Sequence, residues 1–245
     1  FWTPYGATEC LPVTVIEGRE LQDTRAATEA GAGTCVGRPV PPNQVRIIAI
    51  DDAPIAHWSA VVELPAGEVG EITVAGPTTT DSYFNREAAT IAAKIVEVRA
   101  DGGEQVVHRM GDVGYFDAEG RLWFCGRKTQ RVQAADRALY TEQVEPVFNA
   151  HPQVRRTALV GVGVPGAQRP VLCVELAAGV DAGQFQRIQG ELRTLAAAHA
   201  HTAPVATFLR HPGFPVDIRH NAKIGREKLA AWAGAALSAG SGGAA

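Results

Sequence analysis

The sequence predicts an α+β protein, a β-rich first part followed by a small α+β unit, on three observations. Short β-type runs separated by turn residues fill the stretch from Val36 to Phe124. Past Gly126, helical periodicity sets in and alternates with two apolar runs of strand length. At 245 residues and 46% hydrophobic content, the chain can also bury more than one core, since domains commonly span ~100–200 residues. The expected division is residues 1–127 for the β-rich part, 128–234 for the α+β unit and 235–245 for a flexible tail.

In the β-rich part, the strands expected are Val45 to Ile50, Gly70 to Val74, Val106 to His108 and Arg121 to Phe124. Turn chemistry separates them at Asp51-Asp52, Pro65-Ala66-Gly67, Asp101-Gly102-Gly103 and Ala118-Glu119-Gly120. One helix, Arg86 to Val96, is expected among them. After Gly126, Thr141 can cap a helix to about Ala150, with Val144, Val147 and Phe148 on one face. Ala158 to Val164 and Val171 to Leu176 read as strands paired around Pro165-Gly166. A second helix, Phe185 to Ala200, shows the stripe Phe185, Ile188, Leu192, Leu195. A strand near Phe208 and a helix from Gly225 to Trp232 complete the unit. The tail, Ala239-Gly240-Ser241-Gly242-Gly243, has linker composition.

A net charge of -3 points to no general nucleic-acid or membrane surface, although a local site can oppose the global charge. No apolar run approaches the ~20 residues that span a bilayer. Cys10, Cys35, Cys125 and Cys173 form no CxxC pair and are expected as buried apolar residues, with the reduced cytoplasm as the compartment. The opening Phe1-Trp2-Thr3-Pro4-Tyr5 puts two large aromatics at a terminus, so the chain is expected to be a piece of a longer protein. The 7 histidines offer no metal set; His108 is the one to watch, with a structural role expected.

Four segments hold residues able to do chemistry. In Tyr5-Gly6-Ala7-Thr8-Glu9 the glycine lets the backbone turn tightly, so a hydroxyl and a carboxylate can hold a phosphate oxygen and a divalent cation; a buried turn fits equally. In Met110 to Arg127, Asp117 to Gly120 reads as a hairpin turn. Asp112 stands apart, between Gly111 and an apolar run, where a carboxylate can accept both hydroxyls of a ribose. Arg127, in Gly126-Arg127-Lys128, is either a solvated charge or a bidentate phosphate or ribose ligand. Arg219 to Lys228 is either a solvated basic loop or a loop that delivers a lysine, Lys223, to anionic oxygens.

In this order, the segments resemble the motifs of the acyl-adenylate-forming superfamily: acyl-CoA ligases, peptide-synthetase adenylation domains and luciferases. Tyr5 to Glu9 resembles its YGxTE motif, Gly111 to Tyr115 its GDxGY motif, Gly126-Arg127 the GR of its hinge, and Asn221 to Arg226 its SGKxxR element. The resemblance spans nearly the whole chain. It implies that residues 1–127 are the β-rich, distorted-barrel end of a large adenylating domain and 128–234 a small mobile C-terminal domain. It also implies roles: Tyr5 at adenine, Gly6 at the nucleotide, Thr8 at the α-phosphate, Glu9 on Mg²⁺, Asp112 and Arg127 on the ribose, and Lys223 as the catalytic cation between carboxylate and phosphate, with Thr8 assisting. ATP and Mg²⁺ follow as cofactors.

The pattern is incomplete in places. The superfamily's Ser/Thr/Gly-rich phosphate loop ending in Lys is absent, Gly31 to Thr34 and Ser238 to Ser241 being poor substitutes. That loop lies upstream of YGxTE in the superfamily, and without it the chain alone is expected to be inactive. The usual hinge Asp is replaced by Thr129 or Gln130, and the Gly before the catalytic Lys by Ala222. Val107 to Asp112, Leu122 to Lys128 and Pro215 to Lys223 further resemble one branch, the β-lactone-forming ligases of bacterial long-chain olefin biosynthesis. That branch adenylates a 2-alkyl-3-hydroxy fatty acid, whose own hydroxyl then closes the ring. The partners implied are the fatty-acid substrate and other enzymes of the olefin pathway, with no nucleic acid. A fatty acyl-CoA or acyl-AMP ligase shares the first step, and a non-catalytic nucleotide-binding module shares the fold.

Overall fold

The chain resolves into two contact units in the computed structural model, which describes residues 1–217 and 223–241. The first comprises Phe1–Ala26 and Gly33–Thr129, and the second Ala27–Ala32 with the residues from Gln130 onward.

In the first unit β1 (Trp2–Ala7) and β2 (Cys10–Glu17) make an antiparallel hairpin across Thr8 and Glu9. Two short helices, α1 (Gly18–Asp23) and α2 (Arg25–Glu29), precede β3 (Thr34–Pro39), β4 (Gln44–Ile48) and β5 (Gly70–Ala75). Helix α3 (Glu87–Ala93) leads straight into β6 (Lys94–Val98), then β7 (Glu104–Phe116) and β8 (Leu122–Arg127). The strands order β1-β2-β3-β8-β7-β5-β4, with β6 also on β7, as an open, barrel-like antiparallel sheet. Both of its faces are apolar: Cys10, Val13, Ile47, Ile72, Val74, Met110 and Leu122 form one cluster, and Ile48, Ile55, Ala75, Ile95 and Val107, with Ile48 and Ala75 next in strand to Ile47 and Val74, another on the opposite face.

The helix expected over 86–96 stops early. Lys94-Ile95-Val96-Glu97-Val98 is rich in β-branched residues, and pairing with β7 from Lys94↔His108 to Val98↔Glu104 overrides helical continuation. The turn expected at Asp117 to Gly120 is present. Asp117 Oδ1 accepts the backbone N–H groups of Glu119 and Arg121, and its Oδ2 accepts Trp123 Nε1–H at 2.7 Å.

The second unit starts with the short ribbon β9 (Val132–Gln133) and β10 (Ala138–Leu139), then α4 (Thr141–Asn149). Its sheet pairs β11 (Val154–Val162) antiparallel to β12 (Arg169–Leu176), and β12 parallel to β13 (Thr207–Arg210), with α5 (Phe185–Ala197) as the crossover. The apolar runs are continuous because both faces are covered. Leu159, Leu172 and Val174 pack with Val144, Phe148, Ile188 and Leu192 of α4 and α5. The alternate residues Ala158, Val160, Val171 and Cys173 pack with Leu229 and Ala233 of α6 (Arg226–Ser241). The strip β14 (Val216–Asp217) and β15 (Lys223–Ile224) precedes α6.

Two expectations need correction here. Tyr140, not Thr141, occupies the cap of α4 and makes no side-chain cap bond, while Thr141 is buried as the first helical residue. The last helix passes Trp232 and reaches Ser241, well into the stretch expected as tail. Its added turns contain helix-favouring alanines, and Leu237 packs on the same core as Leu229. All four cysteines are free and buried, as expected; burial pushes the Cys173 thiol up to about 12. No helix among the described residues is long and apolar enough to cross a membrane.

Candidate functional site

Asp112 owes its position to a break in strand regularity. Between the rungs Arg109↔Thr73 and Val113↔Glu71, β7 holds two more residues than β5. The excess is taken up at Gly111, whose φ of +66° is left-handed and suits glycine. Across the sheet, Asp112 is the register partner of Arg127 at the end of β8. The GDxGY and GR segments are therefore brought together by the ladder itself.

Asp112 is 4% exposed, and its Oδ2 accepts the Tyr5 hydroxyl at 2.7 Å. Arg127 Nη1 stands 2.9 Å from Oδ1 as an ion pair. No N–H is aligned on that oxygen, which is buried and has no hydrogen-bond partner. Burial raises the Asp112 carboxyl above the ordinary range, against the Arg127 charge and the Tyr5 hydroxyl, which pull it down. Burial and the neighbouring Asp112 likewise push the Tyr5 phenol well above its ordinary value. The Tyr5 ring packs on Phe124 at 5.9 Å with a 41° tilt.

Thr8 and Glu9 form the turn of the first hairpin, Thr8 exposed and Glu9 half-buried. A cavity of about 440 Å³ opens beside them, lined by Gly6, Thr8, Glu9, His108, Arg109 and Arg127, among others. The sheet thus gathers Gly6, Thr8, Glu9 and Arg127 around one hollow of the first unit, while Tyr5 and Asp112 do not line it and join it only through the Asp112–Arg127 ion pair and the Tyr5–Asp112 hydrogen bond. Glu9 is the lone carboxylate at the turn, and the described residues contain no group of three His, Cys, Asp or Glu that could hold a metal. Glu9 is thus the residue at this turn that could offer a carboxylate oxygen to a hard cation.

Two features escaped sequence reasoning, and a third, His108, is buried as a structural residue. Tyr83 donates its hydroxyl to Glu9 Oε1 at 2.8 Å, although 74 positions separate the two. Glu71, 1% exposed, accepts Arg109 Nη2 at 2.6 Å and Lys128 Nζ at 3.0 Å. This buried charge group underlies the floor of the hollow, and a Glu in the strand Gly70-Glu71-Ile72-Thr73-Val74 was its only sequence trace. His108 is buried, with Nδ1 3.3 Å from the Ala93 carbonyl. Burial, and then the Lys94 ammonium, lower its pKa to about 4, so the ring is neutral.

In the second unit, Lys223 opens β15, exposed, in register with Asp217. Its motif neighbours Asn221 and Ala222, with Arg219 and His220, lie outside the described residues. Arg226, the motif's arginine, faces inward. Its Nη2 donates to Glu145 Oε2 at 3.0 Å and its Nη1 to the Leu159 carbonyl at 3.2 Å. It therefore roots the segment bearing Lys223 in α4 and β11. Burial raises the Glu145 carboxyl, and the Arg226 charge opposes that rise.

No protein-family model matches the chain. It is 75% identical over 233 residues to an olefin β-lactone synthetase of Xanthomonas campestris pv. campestris, an alignment covering 95% of this chain and 42% of that protein. It is 71% identical over 237 residues to an olefin β-lactone synthetase of Stenotrophomonas maltophilia, covering 97% of this chain and 43% of the relative. The chain thus spans less than half the length of both relatives. Among solved structures, the amide bond synthetase McbA of Marinactinospora thermotolerans superposes with a TM-score of 0.70 at 26% identity, covering 94% of this chain and 42% of that one.

Proposed function

We propose that this chain, a member of the acyl-adenylate-forming superfamily, grips the nucleotide in an enzyme that converts ATP and a long-chain 2-alkyl-3-hydroxy fatty acid into a β-lactone, AMP and pyrophosphate. The observation that carries the reading is the Tyr5–Asp112–Arg127 cluster, in which a buried carboxylate is paired with a guanidinium that lines the hollow. A carboxylate so held can accept both hydroxyls of a ribose. The high identity to two olefin β-lactone synthetases supports the choice of reaction.

In the first step a carboxylate oxygen attacks the α-phosphorus, the bond to the β-phosphate oxygen breaks, and pyrophosphate leaves. Both reactants are anionic, so approach is opposed until cations neutralise them. Lys223 supplies a positive charge to the carboxylate and the α-phosphate, and Thr8 donates its hydroxyl to the α-phosphate. Glu9 is the residue that would hold Mg²⁺, which when bound adds Lewis-acid charge neutralisation on the phosphates. Asp112 and Arg127 fix the ribose, and Tyr5 offers its ring to adenine. In the second step the substrate's 3-hydroxyl oxygen attacks the adenylated carbonyl carbon. The bond to the phosphate oxygen breaks, AMP leaves, and the hydroxyl proton passes to solvent. No second substrate is needed, because tethered groups reach effective molarities of ~10⁵–10⁸ M. The replacement of the hinge Asp by Thr129 or Gln130 fits an enzyme with no thiol to bring in.

The test is product analysis of the full-length protein with a 2-alkyl-3-hydroxy fatty acid, ATP and Mg²⁺, with and without coenzyme A. A β-lactone formed equally in both supports the proposal. A thioester that requires coenzyme A replaces it with an acyl-CoA ligase, and absence of any ATP consumption leaves a binding module.

A further inference from the structure

Tyr83 belongs to none of the motifs, yet the segment around it clasps Glu9 twice. Its hydroxyl donates to Glu9 Oε1 at 2.8 Å, and the Thr80 N–H donates to the Glu9 carbonyl at 2.8 Å. The clasp is itself anchored. The buried Lys94 ammonium donates to the Thr80 carbonyl and hydroxyl, and the Tyr83 N–H donates to Thr90 Oγ1 of α3 at 3.0 Å.

Resting on the reading above, we propose that Tyr83 is a positioning residue that commits Glu9 to one-oxygen coordination of the divalent cation of ATP. With Oε1 engaged by the phenol, Oε2 is the oxygen presented to the cation. This arrangement suits Mg²⁺, which takes single carboxylate oxygens in a strict octahedron and fills the rest with phosphates and water. It disfavours Ca²⁺, which readily takes a carboxylate through both oxygens. Releasing Oε1 therefore both loosens the carboxylate and weakens the preference for the smaller ion.

The experiment compares the full-length protein with its Tyr83→Phe variant. Mn²⁺ binding in the presence of ATP is titrated by electron paramagnetic resonance, and the Mg²⁺ dependence of acid-dependent ATP–pyrophosphate exchange is measured alongside. AMP binding without metal serves as the folding control. The expected result is Mn²⁺ affinity roughly three- to tenfold weaker, the size of one ordinary hydrogen bond, since the phenol acts on the cation only through Glu9. The half-saturating Mg²⁺ concentration rises by a similar factor, the rate at saturating Mg²⁺ stays within about twofold, Ca²⁺ inhibits more strongly, and AMP binding is unchanged. Unchanged metal affinity, or a rate loss that excess Mg²⁺ does not restore, overturns the proposal. If the wild-type protein exchanges pyrophosphate with no hydroxy acid while Mn²⁺ binding still weakens in the variant, the reaction assigned above fails and the role of Tyr83 stands.

Discussion

Asp112 and Arg127 are register partners across β7 and β8, and their charged groups meet at 2.9 Å. The carboxylate is buried while the guanidinium is half exposed, so the pair presents a buried acceptor flanked by a solvent-facing cation. Such a pair can bind a ribose without first breaking a closed bidentate salt bridge.

Asp112→Asn keeps the shape and removes the charge. AMP affinity of the full-length protein is expected to fall about 10- to 100-fold, as for a lost hydrogen bond to a charged group. Isothermal titration measures it. The pH dependence has a definite sign. The Asp112 carboxyl titrates above its ordinary value of 3.8, and ribose binding needs the ionised form. Affinity therefore declines, as pH falls, earlier than it would for an unperturbed aspartate, and Tyr5→Phe moves that decline to still higher pH by removing a donor to the charged form.

His108 links folding to pH. Its pKa falls from 6.5 to about 4 in the folded chain, so between those values the unfolded chain binds a proton that the native one refuses. Stability is fully present above 6.5 and is lost as pH falls toward 4, by up to about 3 kcal/mol. His108→Gln should flatten that slope. Urea unfolding at pH 7.5 and pH 5 makes the comparison, and an unchanged slope would show that other groups set it.

Arg226→Met strands the Glu145 carboxylate in a buried site. A loss of about 3–5 kcal/mol is expected, and the double variant with Glu145→Met should recover much of it. Denaturant midpoints decide the matter. Equal destabilisation of the single and double variants would mean the contact is packing and not charge.

Lys223→Ala separates binding from chemistry. ATP affinity should stay within a few-fold, while pyrophosphate release falls on the order of 10²–10³. Near-normal release would remove Lys223 from the reaction.

Much of this was legible in the sequence, and the reason is local. Asp112 and Arg127 flank a hairpin whose turn is written in Asp117 to Gly120, so folding the hairpin alone brings them opposite each other. The pairing of β11 with β12 was visible as two apolar runs around Pro165-Gly166, whereas the helices that cover both faces were not. Tyr83 was illegible because its partner lies far along the chain and its surroundings, Asp81-Ser82-Tyr83-Phe84, carry no periodicity. The end of α3 was misread because alanines favour helix while the following Ile95 and Val96 answer to β7, a tertiary partner. Arg226 looked like one more surface charge in a basic run, and only its bidentate bond to Glu145 distinguishes it.

The central claim is that a carboxylate oxygen of the substrate attacks the α-phosphorus of ATP. The direct measurement is mass spectrometry of the AMP formed when the full-length protein turns over a 2-alkyl-3-hydroxy fatty acid labelled with ¹⁸O in its carboxylate. One labelled oxygen is expected in AMP and none in pyrophosphate. Label that is missing from AMP, or a nucleotide product other than AMP, would contradict it.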